Sequence, residues 1–253
     1  MFSRYASPLR YPGGKARLFN FVRLLIHQNK LLDGEYVEPY AGGASLALML
    51  LFEEYVSRIH INDVDVAIYG FWNSVLFDCD VLCDKIQNAR LDVDEWKRQR
   101  DIYRNPGSGL LERGFAAFYL NRTNRSGIIK SGGVIGGLEQ RGKWKLDARF
   151  NKDALIKRVR RIARYRNRIQ LTNLDAVELL NQLNLSPKNA LVYLDPPYYI
   201  KGSDLYANSY KKKDHGLVAK TVTALDVPWI VSYDNVPEIL SLIHISEPTR
   251  RYE

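Results

Sequence analysis

A chain of 253 residues, 46% apolar and 26% charged, can bury a sizeable core and is neither a disulfide scaffold nor a low-complexity polymer. Its 37 Lys and Arg against 28 Asp and Glu leave a net charge of +9, which favours polyanionic partners, nucleic acid ahead of a membrane surface. No run approaches the roughly 18 apolar residues of a spanning helix, and Met1-Phe2-Ser3-Arg4 lacks the apolar stretch of a signal peptide, so a soluble, cytoplasmic chain is expected.

In chain order, residues 17–26 pattern as a helix, 35–38 as a buried strand ending on Glu38, 45–54 as a helix, and 58–63 as a strand ending on Asp63. Between the first strand and its helix stands Pro39-Tyr40-Ala41-Gly42-Gly43-Ala44-Ser45. Its glycines let backbone approach a ligand at a helix N-terminus. The segment lacks the Gly-Lys-Ser/Thr of a P-loop and the full G-x-G-x-x-G fingerprint, which disfavours a triphosphate or a dinucleotide. Asp63, at the next strand end, is placed to accept hydrogen bonds from ribose hydroxyls, so the pair fits an adenosine-containing ligand.

From about residue 73 to residue 150 the alternation stops. Helical patterns at 93–103 and 110–120 lead into a Gly-rich basic stretch, which reads as an inserted domain. The two cysteines, Cys79 and Cys83, lie four apart in a helical pattern and suit core thiols better than a disulfide or a zinc site; the four histidines are scattered, and no metal is expected. Residues 153–168 form an amphipathic helix with Leu155, Ile156, Val159, Ile162 and Ala163 on one face. The stretch 141–168 carries twelve Lys and Arg against Asp147 and Asp153, either a solvated face or one turned to phosphates.

Strands at 168–171, 190–195 and 227–233, with a helix at 217–225, complete a doubly wound α/β sheet. In such sheets ligands sit at the carboxyl ends of the strands, where the acidic residues are. The implied division is 1–72 and 151–239 for the sheet domain and 73–150 for the insert.

The fourth strand runs into Asp195-Pro196-Pro197-Tyr198, a tetrapeptide expected by chance in roughly one chain of this length per thousand. Its residue types suit methylation of an exocyclic amine. An adenine N6 lone pair is delocalised into the ring, so attack on a sulfonium methyl needs acceptors that hold the N–H groups and favour a more tetrahedral nitrogen. The Asp195 carboxylate and the Pro196 carbonyl can supply them, Pro197 stiffens the turn, and Tyr198 offers a ring to stack on the base. A paired base cannot reach such a pocket without being flipped out. The plain alternative is a proline-terminated strand with a packing tyrosine.

With these segments in this order, the chain resembles the Dam-like, D12-class adenine-specific DNA methyltransferases over most of residues 7–235. The resemblance implies a Rossmann-like S-adenosylmethionine methyltransferase sheet, an inserted and mostly helical target-recognition domain, and a bacterial or phage-encoded enzyme acting on double-stranded DNA. Ser7-Pro8-Leu9-Arg10-Tyr11-Pro12-Gly13-Gly14-Lys15 resembles the family's N-terminal segment, which assigns Tyr11 and Lys15 to the cofactor. Glu38, Pro39, Ala41, Gly42 and Gly43 match its cofactor loop, Asp63 its ribose acid, and Asp175 an acid near the cofactor's adenine; Asp195 also borders the cofactor. Each has a plain reading too: a surface cation for Lys15, a simple turn for the glycines, a strand-end cap for Asp63 and a helix cap for Asp175. Residues 121–130 resemble the DNA-reading loop and assign Asn121, Arg122, Asn124, Arg125 and Lys130 to DNA. Arg125-Ser126 departs from the wedging pair of a well-known member, so no recognition sequence carries over. Residues 206–215, with Lys211, Lys212 and Lys213, fall where the family has a mobile segment over the site.

The family pattern stops near Leu240, and residues 240–253 read as a non-native tail. Two closing strands are then expected to be missing, leaving the fifth strand as an apolar edge. A DNA-binding protein of this fold without turnover is the alternative from another class. Methylation of RNA or of a protein amide ranks below both.

Overall fold

The computed structural model describes residues 6–10, 15–183, 189–197, 210 and 212–233. Five parallel strands form one sheet in the order β3-β2-β1-β4-β5: β1 Glu35–Glu38, β2 Arg58–Asn62, β3 Ile169–Thr172, β4 Ala190–Leu194 and β5 Trp229–Val231. The order reverses between β1 and β4, which pair in register from Glu35 with Ala190 to Val37 with Val192. A crevice for a ligand opens at that reversal, beyond the carboxyl ends of the strands.

Strand periodicity divides the interior into two layers, because successive side chains point to opposite faces. Tyr36, Ile59, Ile61, Leu191 and Tyr193 face a large core built with α1 (Phe19–Gln28), α2 (Ser45–Phe52) and α3 (Val66–Phe77). Val37, Ala190, Val192 and Leu194 face a smaller one, filled by Leu179, Leu180 and Leu183 and by Val218 and Val222. These come from α8 (Ala176–Leu183) and α9 (Lys212–Thr223). Helices on both faces make the sheet doubly wound, as its strand pattern predicts.

The segment 73–150 adds α4 (Cys79–Asn88), α5 (Val93–Arg104) and α6 (Leu110–Thr123), which lead back to α7 (Lys152–Ala163). The boundary expected between residues 72 and 73 falls inside α3. Phe71, Trp72, Phe115, Phe118, Tyr119 and Phe150 share the large core, with the Phe71 and Phe118 rings stacked 5.4 Å apart. Close backbone approach makes this possible: a Cβ on Gly114 of α6 would stand 2.4 Å from the Gly70 carbonyl carbon of α3.

Local signals account for the helix ends. Asp92 and Asn151 cap α5 and α7 by accepting from Glu95 N and Ala154 N, and Asp65 caps α3 by accepting from Ala67 N. The helix expected over 153–168 ends earlier, at Ala163, and the chain turns into β3 through a 3₁₀ turn, Arg166–Arg168. There Arg168 grips Glu54 with both terminal nitrogens, at 3.0 and 2.8 Å. Of the basic stretch, Arg168 is thus an anchor, while Arg160, Arg161 and Arg164 are exposed.

β5 is three residues long, shorter than the 227–233 expected, and is one of the two edge strands among the five described. Residues 234–253, which include the suspected tail, lie outside the described residues, as do Tyr11, Tyr198 and most of 198–211, and so does the expectation of missing closing strands. No single described helix is long and apolar enough to cross a membrane, and no cluster of three potential metal ligands occurs among the described residues. Cys79 and Cys83 are free thiols a turn apart on α4; burial pushes that of Cys79 up to about 11.

Candidate active site

The carboxyl ends of β1, β2 and β4 bring the sequence-assigned acids to one edge of the sheet. Pro39 to Ala44 form a tight turn between β1 and α2, with Gly42 at φ +45° and Ala44 also left-handed at +45°. The turn is held at four points. Asn62 Nδ2 donates to Pro39 O at 2.9 Å, Ala41 N to Asn62 O at 2.9 Å, Gly42 N to Asp63 Oδ2 at 2.9 Å, and Trp72 Nε1 to Gly42 O at 2.9 Å. The glycine turn is therefore a preorganised surface.

Asn62 is fully buried and links three strand ends. Its second Nδ2 bond goes to Leu174 O, and its Oδ1 accepts from Thr172 Oγ1 and Leu174 N. Trp72 is equally enclosed. Sequence reading passed over both, since a single Asn at a strand end and a Trp in an apolar helix carry no pattern.

Asp63 accepts from Gly42 N on one oxygen and from Asp65 N, at 2.9 Å, on the other. Burial, reinforced by the Asp65 charge, pushes its carboxyl up to about 7. Glu38 sits deeper: its Oε1 takes the Tyr36 hydroxyl at 3.1 Å and Ala47 N, near the start of α2, at 3.2 Å. Burial raises its carboxyl to about 8 against those two hydrogen bonds. Glu38 thus supports the turn from behind, and helix α2 has no side-chain cap of its own. Asp175 is exposed and caps α8, accepting from Val177 N at 2.8 Å.

Asp195 follows directly on β4. Its Oδ2 lies 2.8 Å from Lys15 Nζ, and its Oδ1 accepts from Ser232 Oγ at 2.7 Å. Ser232 N extends the β4–β5 ladder by donating to Leu194 O, and Tyr193 donates its hydroxyl to Ser232 Oγ at 3.0 Å. Adjacent strands thereby orient the carboxylate from one side and Lys15 from the other. Pro196 and Pro197, buried, fix the chain that leaves the strand. Ser232 is the residue that sequence reading missed at this centre; its signal was only its place at the end of β5.

The residues assigned to DNA divide into two groups. Arg125 and Lys130 are exposed. Asn121, Arg122 and Asn124 belong to the interior instead, because α6 runs on through Thr123 rather than giving way to a loop at residue 121. Asn121 Oδ1 accepts from Arg10 N at 2.7 Å, and its Nδ2 donates to Arg10 O and Gly127 O. Arg122 donates to Arg149 O through Nε and Nη2 and to Pro8 O; burial first, then Arg10, Arg158 and Arg149, bring its guanidinium down to about 9. Asn124 accepts from Trp96 Nε1 at 2.7 Å and donates to Ile128 O. Asn121 and Arg122 tie down residues 8–10, which lead into the Tyr11 to Lys15 motif, Asn124 ties Trp96 to Ile128, and all three are buried.

A doubly wound parallel sheet with a pinned glycine turn after β1 and Asp-Pro-Pro after β4 gives the chain the architecture of a Rossmann-like methyltransferase fold. A family model for the D12 class N6 adenine-specific DNA methyltransferases matches residues 11–252, nearly the whole chain and most of the suspected tail. The chain belongs to that family and is an enzyme that methylates adenine N6 in DNA. No curated protein matches it.

Proposed function

We propose that this enzyme methylates flipped adenines of duplex DNA at a short recognition sequence, with Asp195 as the catalytic acceptor and S-adenosylmethionine as the donor. The observation carrying this reading is the Asp195 carboxylate, held between Lys15 and Ser232 at the end of β4, beside the glycine turn of β1.

The donor set fits the cofactor. Asp63 and Asp175 are carboxylates at the ends of β2 and β3, suited to ribose hydroxyls and to an adenine amine, and each Asp63 oxygen keeps a lone pair beyond its single backbone bond. Ala41, Gly42 and Gly43 offer backbone without bulk next to the start of α2, with Glu38 and Pro39 fixing their path. Lys15 stands against Asp195, and Tyr11 joins it in the cofactor set by the resemblance of residues 7–15. Bound there, S-adenosylmethionine supplies a methyl group on a sulfonium.

The protein's part is positional and electrostatic. Asp195 and the Pro196 carbonyl accept the two N–H groups of the adenine amine, which draws its lone pair out of the ring. Tyr198 stacks on the base. Once methylated, the nitrogen is acidic and passes its proton to Asp195 or to water, so no strong base is required. Lys15 and Ser232 keep the carboxylate oriented for this work. Arg125 and Lys130 meet the duplex, and Asn121, Arg122 and Asn124 shape the segment that carries them.

Incubation with labelled S-adenosylmethionine and unmethylated duplex DNA, followed by digestion to nucleosides, is expected to yield N6-methyladenine and to lose it in Asp195→Ala. Label in cytosine, in RNA only, or nowhere would overturn the reading. Tight DNA binding without cofactor affinity would instead favour a binding protein without turnover.

A further inference from the structure

A second basic site stands apart from the catalytic centre. Arg104 ends α5, Arg113 lies in the first turn of α6, and Lys130 follows the 3₁₀ turn Arg125–Gly127. With Asp65 and Tyr103 they line a cleft of about 690 Å³ at the start of α3. The fold forces this convergence. Gly70 and Gly114 let α3 and α6 cross backbone to backbone, and Arg113, one residue before Gly114, is carried against the N-terminal end of α3. Gly127, at φ +76°, packs so close to Arg10 O that a Cβ would stand 2.4 Å away, which fixes the turn ahead of Lys130.

The charges in this cleft are not balanced within the protein. Arg104, Arg113 and Lys130 form no salt bridge among the described residues. Arg113 Nε is buried there without a hydrogen-bond partner, a rare condition for a guanidinium donor. Asp65, the carboxylate lining the cleft, is already engaged by Ala67 N at 2.8 Å and by the Tyr103 hydroxyl. Three cations with an unmet donor call for an oxyanion. Arg104 and Lys130 are exposed, so the cations flank a groove reachable by a continuous strand, unlike the walls of a closed small-molecule cavity. Val64 and Asp65, which follow the carboxyl end of β2, line the cleft, so it opens near the sheet edge that carries Asp195.

We propose that this cleft seats a backbone phosphate of the DNA, with the half-buried Arg113 as the inner anchor and Arg104 and Lys130 at the rim. It rests on the adenine-methyltransferase reading and extends the DNA contact from Lys130, at the end of the loop assigned to DNA, to Arg104 and Arg113 outside that loop. Its role is to set the register of the duplex, since phosphate contacts position without specifying sequence.

The test is duplex binding by fluorescence anisotropy over a range of salt, for the parent, Arg104→Gln, Arg113→Gln and Arg113→Lys. Each Gln variant is expected to weaken binding several-fold and to reduce the slope of log Kd against log salt by about 1, and Arg113→Lys is expected to keep part of the slope. Calorimetric affinity for S-adenosylmethionine, unchanged in all three, separates a lost phosphate contact from misfolding; Arg104→Gln, at an exposed helix end, also guards against that outcome. Parent-like slopes in Arg104→Gln and Arg113→Gln, with DNA still methylated, overturn the cleft but not the activity. Inorganic phosphate that stabilises the parent and not Arg104→Gln, with no change in DNA binding, marks a free-anion site and also overturns it. A parent that neither binds nor methylates DNA removes both readings.

Discussion

Glu38→Gln isolates the cost of burying an acid behind the glycine turn. Glu38 is 5% exposed, and burial raises its carboxyl from 4.5 to about 8. The folded chain therefore keeps a proton that the unfolded chain has lost between those values. Stability falls as pH rises through that window, is flat below 4.5 and levels off above 8. A single proton sets a limiting slope of about 1.4 kcal/mol per pH unit. From about pH 5.5 to about pH 7 this amounts to roughly 2 kcal/mol, or about 4–8 °C in Tm for a chain of this size. Asp63, raised to about 7, acts in the same direction, so the comparison with the variant is what isolates Glu38. Glutamine keeps an oxygen for Tyr36 and Ala47 and cannot ionise. Thermal unfolding without cofactor should show the parent losing stability more steeply than Glu38→Gln, with the gap widening up to about pH 8 and then constant. Parallel curves would refute the reasoning.

Three further outcomes follow from the packing. Gly114→Ala sets a methyl 2.4 Å from the α3 backbone and should cost about 3 kcal/mol or block folding, read by urea denaturation. Asn121→Ala removes the bonds that hold Arg10 and Gly127 and leaves buried partners unmet, so it should cost about 2–4 kcal/mol rather than reduce the salt dependence of DNA binding. Ser232→Ala should lower kcat about tenfold or more while leaving KM for DNA and affinity for S-adenosylmethionine near parent values, with Ser232→Thr recovering part of the rate.

The sheet was legible because β1, β2 and β4, largely buried on both faces, read as short apolar runs ending at Glu38, Asp63 and Asp195, which marked the functional edge. Its layers followed from alternation: Tyr36 and Val37 serve different cores. The stretch 73–150 was read less well. Its helices were visible as periodic segments, but the continuity of its core with α3 depends on Gly70 and Gly114, which sequence offers only as two separate weak points in helices. Asn121, Arg122 and Asn124 were assigned to DNA because residues 121–130 resemble a DNA-reading loop. Their partners, Arg10, Pro8, Arg149 and Trp96, lie 27 to 114 residues away, and no local pattern reports such a bond. Ser232 was hidden for the same reason: its meaning comes from the β4–β5 register, which brings it to Asp195 across 37 residues.

The central claim is that the carboxylate between Lys15 and Ser232 acts on the adenine amine. Single-turnover methyl transfer to duplex DNA in Asp195→Ala tests it most directly, with cofactor affinity measured on the same preparation. The rate is expected to fall by about a hundredfold or more at an affinity for S-adenosylmethionine within a few-fold of the parent. A near-parent rate, with N6-methyladenine still formed, would contradict it.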